Sequence, residues 1–230
     1  MAAKDRYESL DELGKVTVVL LCIEITLQAL YFLATLARTG EMADIIAGRA
    51  ARPVDVTPFE LLQGIIGLAL AAIAISLFFV IGRWIFRAAW NIRHLGAKRL
   101  EFSPGWAVGW YFVPFANLVY PFRAMKEIWL ASHDPARWRE GSVGLLTAWW
   151  TLWLAGNIIG NIALRLSINA ETMESILLAE RIGLVSTALS IPCSVLFLRI
   201  VRRVGAAQDR QANAPAPPAP PEPESETLVA

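Results

Sequence analysis

The chain is short of the residue types that most enzymes use. Its 230 residues hold only two cysteines and two histidines. Cys22 and Cys193 form no C-x-x-C, and His94 and His133 belong to no H-E-x-x-H, so neither the common redox motif nor the helical zinc motif is present. A G-x-S-x-G elbow and a P-loop are also missing, which removes the usual signatures of acyl transfer and nucleotide hydrolysis. Charge is sparse as well. Charged residues make up 18% of the chain and the formal net charge is +1, which gives no basic surface suited to nucleic acid. No nucleic acid, metal or cofactor is expected, and catalysis is a minority reading.

Apolar residues are abundant, at 56% of the chain, and they are gathered into runs. Val16 to Ala37, Leu61 to Gly82 and Val143 to Leu164 are nearly free of charge. At about 1.5 Å per helical residue, each matches a hydrocarbon layer roughly 30 Å thick. A fourth run, Ile182 to Leu198, continues to Val201 with only Arg199 inside, and an arginine can reach the headgroups along its aliphatic stem. The first run is longer than a signal-peptide core and follows a segment of mixed charge, so it is read as an uncleaved span. The fold class expected is all-α: a polytopic membrane bundle of four spans. Residues 1–15 form a cytoplasmic lead, 16–204 the membrane domain, and 205–230 a disordered Pro/Ala-rich tail.

Residues 103–131, SPGWAVGWYFVPFANLVYPFRAMKEIWLA, fit no simple span. Ser103 and Pro104 can start a helix, Pro114 interrupts it and Pro121 can start another. Gly105 to Phe122 is free of formal charge and just long enough to cross, giving five spans as the alternative. The basic residues favour four spans plus a Pro-broken re-entrant or interfacial element. With that segment not crossing, Arg83, Arg87, Arg93, Lys98, Arg99, Arg123, Lys126, Arg137 and Arg139 fall together on the inner side. Both termini are then cytoplasmic, and the membrane expected is the bacterial plasma membrane.

Several polar residues lie within or beside the spans. Glu24 and Gln28 share a face of the first span, as a proton-coupling or substrate-contacting pair or as a plain interhelical hydrogen bond. Asn157 and Asn161, interleaved with Gly156 and Gly160, permit close helix approach with amides bonding across it. Arg83 and Arg87 follow the second span on one face, where they can meet lipid phosphate or help to close the broken element through Asn91, Asn117 or Glu127. Arg123 and Glu127 have i,i+4 spacing and can pair. Trp106, Trp110, Tyr111, Tyr120, Trp129 and Trp138 gather nearby, as an aromatic belt would. Thr57, Pro58 and Glu60 spell a capping box at the start of the second span.

The signature Trp84, Arg87, Asn91 and Leu95-Gly96, then FSPGWAVGWYFVP from Phe102 to Pro114, then ANL at Ala116 to Leu118, Pro121 and MKEIW from Met125 to Trp129, resembles the domain of unknown function 4328 family. That family comprises bacterial multi-pass membrane proteins. The resemblance reaches from about Phe59 to Val204 and leaves Glu24 and the Pro-rich tail outside. It implies a membrane domain and carries over no catalytic residue. It also implies that Trp84, Arg87, Asn91, Pro104, Gly105, Trp106, Pro114, Asn117, Pro121 and Glu127 build the family's architecture. Membrane lipids and either a second copy or another membrane protein are the expected partners. A non-enzymatic regulatory or envelope-assembly module is the leading functional expectation, followed by a small-solute transporter or channel, then an interfacial lipid-modifying enzyme.

Overall fold

The computed structural model describes residues 7–51 and 56–214. Among them are six α-helices and no strand: α1 Asp11–Ile46, α2 Pro58–His94, α3 Pro104–Gly109, α4 Tyr120–His133, α5 Gly144–Ile168 and α6 Met173–Asn213. Short 3-10 turns follow α3 and precede α4 and α5. Four of the helices, α1, α2, α5 and α6, are long and apolar enough to cross a membrane. The all-α membrane bundle read from the apolar runs is therefore the fold of this chain.

Local chemistry accounts for the boundaries. Thr57 Oγ1 accepts from the Glu60 N–H at 3.2 Å and the Glu60 carboxylate accepts from the Thr57 N–H at 3.0 Å, which is the capping box expected at the start of α2. That helix ends at His94, where Gly96 takes φ 97°, a conformation costly for any side chain.

Two boundaries differ from the sequence reading. Helix α1 continues beyond Ala37, where the apolar run ends, to Ile46, and Arg38 fastens the start of this extension to neighbouring helices. It donates to Gln63 at 3.0 Å and to Glu60 at 3.3 Å, and it also pairs with Glu180. Helix α6 runs on to Asn213, so residues 205–213 are helical and not tail. Ala206, Gln208, Arg210, Gln211 and Ala212 are good helix formers, and Ala207 and Gln208 are buried on one face. Residues 1–6 of the expected lead and 215–230 of the expected tail lie outside the described residues.

Helix α1 packs on α2 and α6, and α5 packs on α6. The spans thus stand in the order α2, α1, α6, α5, with α2 and α5 apart. Close approach of α5 to α6 rests on glycine, as the GNIIG spacing predicts. A Cβ at Gly160 would meet Ser186 Oγ at 3.0 Å, and Ser186 Oγ itself donates to the Gly156 carbonyl at 2.9 Å.

The Pro-broken element occupies one end of the gap between α2 and α5. Ser103 caps α3, and its Oγ accepts from the Trp106 N–H at 3.3 Å. Beyond Pro114 the chain reverses through Phe115, at φ 62° and ψ −40°, with the Ala116 N–H donating to the Pro114 carbonyl at 2.7 Å. That is a γ-turn of the rare, strained hand. Entry and exit then meet. The Glu127 carboxylate on α4 accepts from the Glu101 N–H at 2.6 Å and the Phe102 N–H at 3.3 Å, and Phe102 and Tyr120 rings lie 6.3 Å apart. A segment whose two ends touch does not cross, so the five-span alternative is set aside.

The depth of this element is read along α2. Phe102 lies beside Arg93, which donates to its carbonyl, and Phe112 packs edge-on against Phe78 with centroids 5.5 Å apart. Phe78 lies five residues, or about 8 Å of helix, past Arg83 into the apolar run. The element therefore lies beside α2 between Arg93 and Phe78, with its aromatic tip against the apolar run.

Candidate functional site

Two polar regions stand out, a fastened cap where Tyr7 and Glu8 meet the end of α6 and a groove between α2 and α5. The cap is built around Asn91, which is fully buried. Its amide donates to the Glu8 carbonyl at 2.8 Å and to Gln208 Oε1 at 2.9 Å, and its own oxygen accepts from the Glu8 N–H at 3.2 Å. Gln208, also fully buried, donates to the Ala88 carbonyl at 3.1 Å and to Ser132 Oγ at 2.9 Å. One side-chain network thus ties the N-terminal lead, α2, α4 and α6. Around it, Arg87 pairs with Glu8 at 2.6 Å and the Tyr7 hydroxyl donates to Asp209 at 2.6 Å. Burial and the neighbouring Asp209 carboxylate raise the Tyr7 hydroxyl well above its usual range.

Glu127 holds the broken element to this cap. Burial raises its carboxyl above the ordinary carboxylate range, although the two N–H donors and nearby Arg93 pull the other way. Arg123 does not pair with Glu127 as the spacing predicts. It reaches Glu101 at 2.7 Å, because both Glu127 oxygens are turned inward to backbone. Trp106, Trp110 and Tyr120 stack in sequence at 4.7 and 4.4 Å, the aromatic cluster expected at this depth. Trp84 is instead a core residue with no exposure, edge-on to Phe197 at 6.2 Å. Pro104 opens α3, with Gly105 next to it, and Pro121 lies buried in the first turn of α4. Asn117 bonds through its backbone N–H to the Val113 carbonyl at 2.9 Å.

The residues that an interfacial lipid-modifying enzyme would need around a headgroup, Arg83, Arg87, Asn91, His94, Asn117 and Glu127, turn to separate partners. Arg83 and Arg87 share a shallow recess with Glu8, Phe86 and Trp90. Asn91 and Glu127 face other partners, and the His94 and His133 rings bond to carbonyls of their own helices. Among the described residues, no group of His, Cys, Asp or Glu could hold a metal ion.

The groove is the second region. Glu24 accepts from the Gln28 amide at 2.9 Å, as the i,i+4 spacing predicts, and from Ser194 Oγ of α6 at 3.0 Å, which the sequence did not indicate. Glu24, Gln28, Asn157 and Asn161 all line one cavity of about 500 Å³. The asparagines differ from expectation in their bonding: each amide donates at 2.8 Å to a carbonyl of its own helix, Trp153 and Asn157, and Ser186 makes the bond across. A second, largely apolar cavity of about 550 Å³ adjoins it, sharing Glu24, Ala74, Trp153, Cys193 and Ser194 and ending at Tyr111 and Phe112 of the broken element. Both cysteines are free, but only Cys193 is a packed thiol, with its Sγ 3.8 Å from the Trp149 carbonyl. Cys22 is exposed.

A family model described as domain of unknown function, DUF4328, matches residues 47–206. The chain belongs to this family. The match covers α2 through most of α6, so Asn91, Ser132, the broken element and the α2, α5 and α6 walls of the groove lie within it, whereas α1 with Glu24 and Gln28, and the cap residues Tyr7, Glu8, Gln208 and Asp209, lie outside it. No curated protein and no solved structure matches the chain. Among the residues that the family resemblance did not mark, Gln208, Ser132 and Glu8 complete the Asn91 network. Only their tertiary neighbours reveal them.

Proposed function

We infer that the protein is a non-enzymatic membrane module with a regulatory or envelope-assembly role. The observation that supports this reading is the cap: its buried polar side chains are committed to joining four elements, so they organise a platform and are not free to react. The same reading has both termini and the segment 83–142 on the cytoplasmic side of the bacterial plasma membrane, where nine basic residues meet anionic lipid. Its partners are membrane lipids and either a second copy or another membrane protein. Amine cross-linking in native membranes followed by mass spectrometry tests it, because Lys98 and Lys126 are both exposed on the platform. The expected result is reproducible links from these lysines to one partner, with both modified from the inner side only. A chain that emerges solely as an unlinked monomer speaks against the module, and lysines modified from opposite sides speak against the arrangement of the broken element.

A second reading, passage of a small solute, is favoured by the placement of Glu24, Gln28, Asn157 and Asn161 around one cavity, with the broken element at the end of the adjoining one. Four spans are few for a transporter, so this reading calls for a dimer. It expects Glu24→Gln to change proton or solute flux in liposomes at unchanged abundance, and identical flux for both proteins across a solute panel removes it.

A further inference from the structure

We propose that the groove between α2 and α5 binds a protonated amine carrying an apolar arm, with the ammonium at Glu24 and the arm lying toward the tip of the broken element. The polar lobe is lined by one carboxylate, Glu24, and by no cationic side chain. Ser194 and Gln28 donate to Glu24, Ser186 and Ser190 donate to the Gly156 and Ser186 carbonyls, and the Asn157 and Asn161 amides donate to their own helix. Each of these amides keeps its second N–H, but the only formal charge among the residues lining the lobe is the Glu24 carboxylate. The remaining Glu24 lone pairs and the asparagine Oδ1 atoms are acceptors open to a ligand, whereas Gln28 Oε1 is buried away from the groove. An ammonium supplies three donors and a positive charge, the complement of this surface.

Charge and shape fix the orientation. Glu24 makes no ion pair among the described residues, and it lies near the middle of the first apolar run, where an uncompensated carboxylate is unfavourable. An arriving cation offsets that charge. The adjoining lobe is lined mainly by apolar and aromatic groups, among them Leu77, Phe78, Trp149, Trp153 and Phe197, and suits an aryl or alkyl arm. Arg83 lines the far end of this lobe, so an ammonium is repelled there and attracted at the Glu24 end. The site gives the solute-passage reading a substrate class, yet it stands without transport, since a module can also be governed by a bound amine.

The probe is 4-phenylbutylammonium, titrated at pH 7 into the full chain in phosphatidylcholine nanodiscs, with tryptophan fluorescence from Trp149 and Trp153 as part of the readout. Wild type is expected to bind it saturably, the isosteric anion 4-phenylbutanoate is expected not to bind, and Glu24→Gln is expected to weaken the amine at least tenfold. Ala74→Phe gives an independent test. Ala74 is exposed and lines both lobes, so the added ring fills the junction without touching the Glu24 bonds, and binding is expected to vanish at unchanged helicity. Equal affinity of wild type and Glu24→Gln, equal affinity for the anion, or full binding by Ala74→Phe overturns the site. Binding without flux in liposomes leaves the site in place and removes only the passage reading.

Discussion

Replacing Glu127 by leucine is expected to release the broken element and to destabilise the protein by roughly 2–4 kcal/mol, the loss of two bonds to an ionisable acceptor together with the desolvation cost of the donors left behind. The Phe102 N–H is buried, and no other acceptor stands beside it in the bonds of this region. For a chain of this size each kcal/mol moves Tm by about 2–4 °C, so melting in detergent should fall by roughly 4–16 °C. Protease cleavage between 101 and 120 should rise in parallel. Glu127→Gln is expected to fall between the two proteins, since its amide keeps one acceptor oxygen and places an NH2 against an N–H. Arg123→Gln is the control: its partner Glu101 is about half exposed, and such pairs are worth about 0–1 kcal/mol. A Glu127→Leu protein that melts with Arg123→Gln removes the clasp from the fold.

The clasp also carries a pH signature of definite sign. Because the folded protein holds the Glu127 carboxyl above its ordinary value, this group's contribution to stability is full below the unfolded carboxylate range and declines as pH rises through the raised value. Glu127→Gln abolishes that dependence, so the gap in Tm between the variant and wild type should widen on acidification from neutral pH toward 4.5. A gap independent of pH means that Glu127 does not titrate in its folded environment.

Much of this architecture is legible in the chain. Run length alone places the four spans, since a bilayer imposes a length that an ordinary core does not. Pro114 and Pro121 place the breaks in the fifth element, and the basic residues on both sides of it say that it returns. Pairings were less legible, because helical spacing names residues that can meet but not those that prefer a third partner. Arg123 and Glu127 have the right spacing, yet Glu127 is drawn to the backbone of residues 101 and 102. Asn157 and Asn161 face the groove, yet their amides return to their own helix and Ser186 bridges α5 to α6. Ser194 gives no sequence signal at all, since a serine in a membrane helix is common. Its role depends on α1 lying beside α6.

The end of α6 shows the same limit most clearly, and it carries the second large expected effect. AAQDRQAN leads into a Pro/Ala-rich stretch, and its composition alone resembles a linker. In the fold Ala207 and Gln208 are buried, Asp209 receives the Tyr7 hydroxyl, and Gln211 donates to the His133 carbonyl at 3.0 Å. A chain ended after Val204 loses all of these at once and uncovers the Asn91 amide. Compared with a chain ended after Asn213, it is expected to melt at least about 6 °C lower, from about 3 kcal/mol or more of lost burial and unsatisfied polar groups at about 2–4 °C per kcal/mol. Gln208→Leu in the full chain isolates the polar part. Leucine keeps most of the volume but leaves Asn91 with one acceptor fewer, and the expected loss is about 1–3 kcal/mol. Asp209→Asn should change less, because its bonds lie at the partly exposed rim. Melting curves in one detergent rank the four proteins. The order expected is the Asn213 chain highest, then Asp209→Asn, then Gln208→Leu, then the Val204 chain. Coincident curves for the two shortened chains would return residues 205–213 to the status of a tail and leave Asn91 anchored by Glu8 alone.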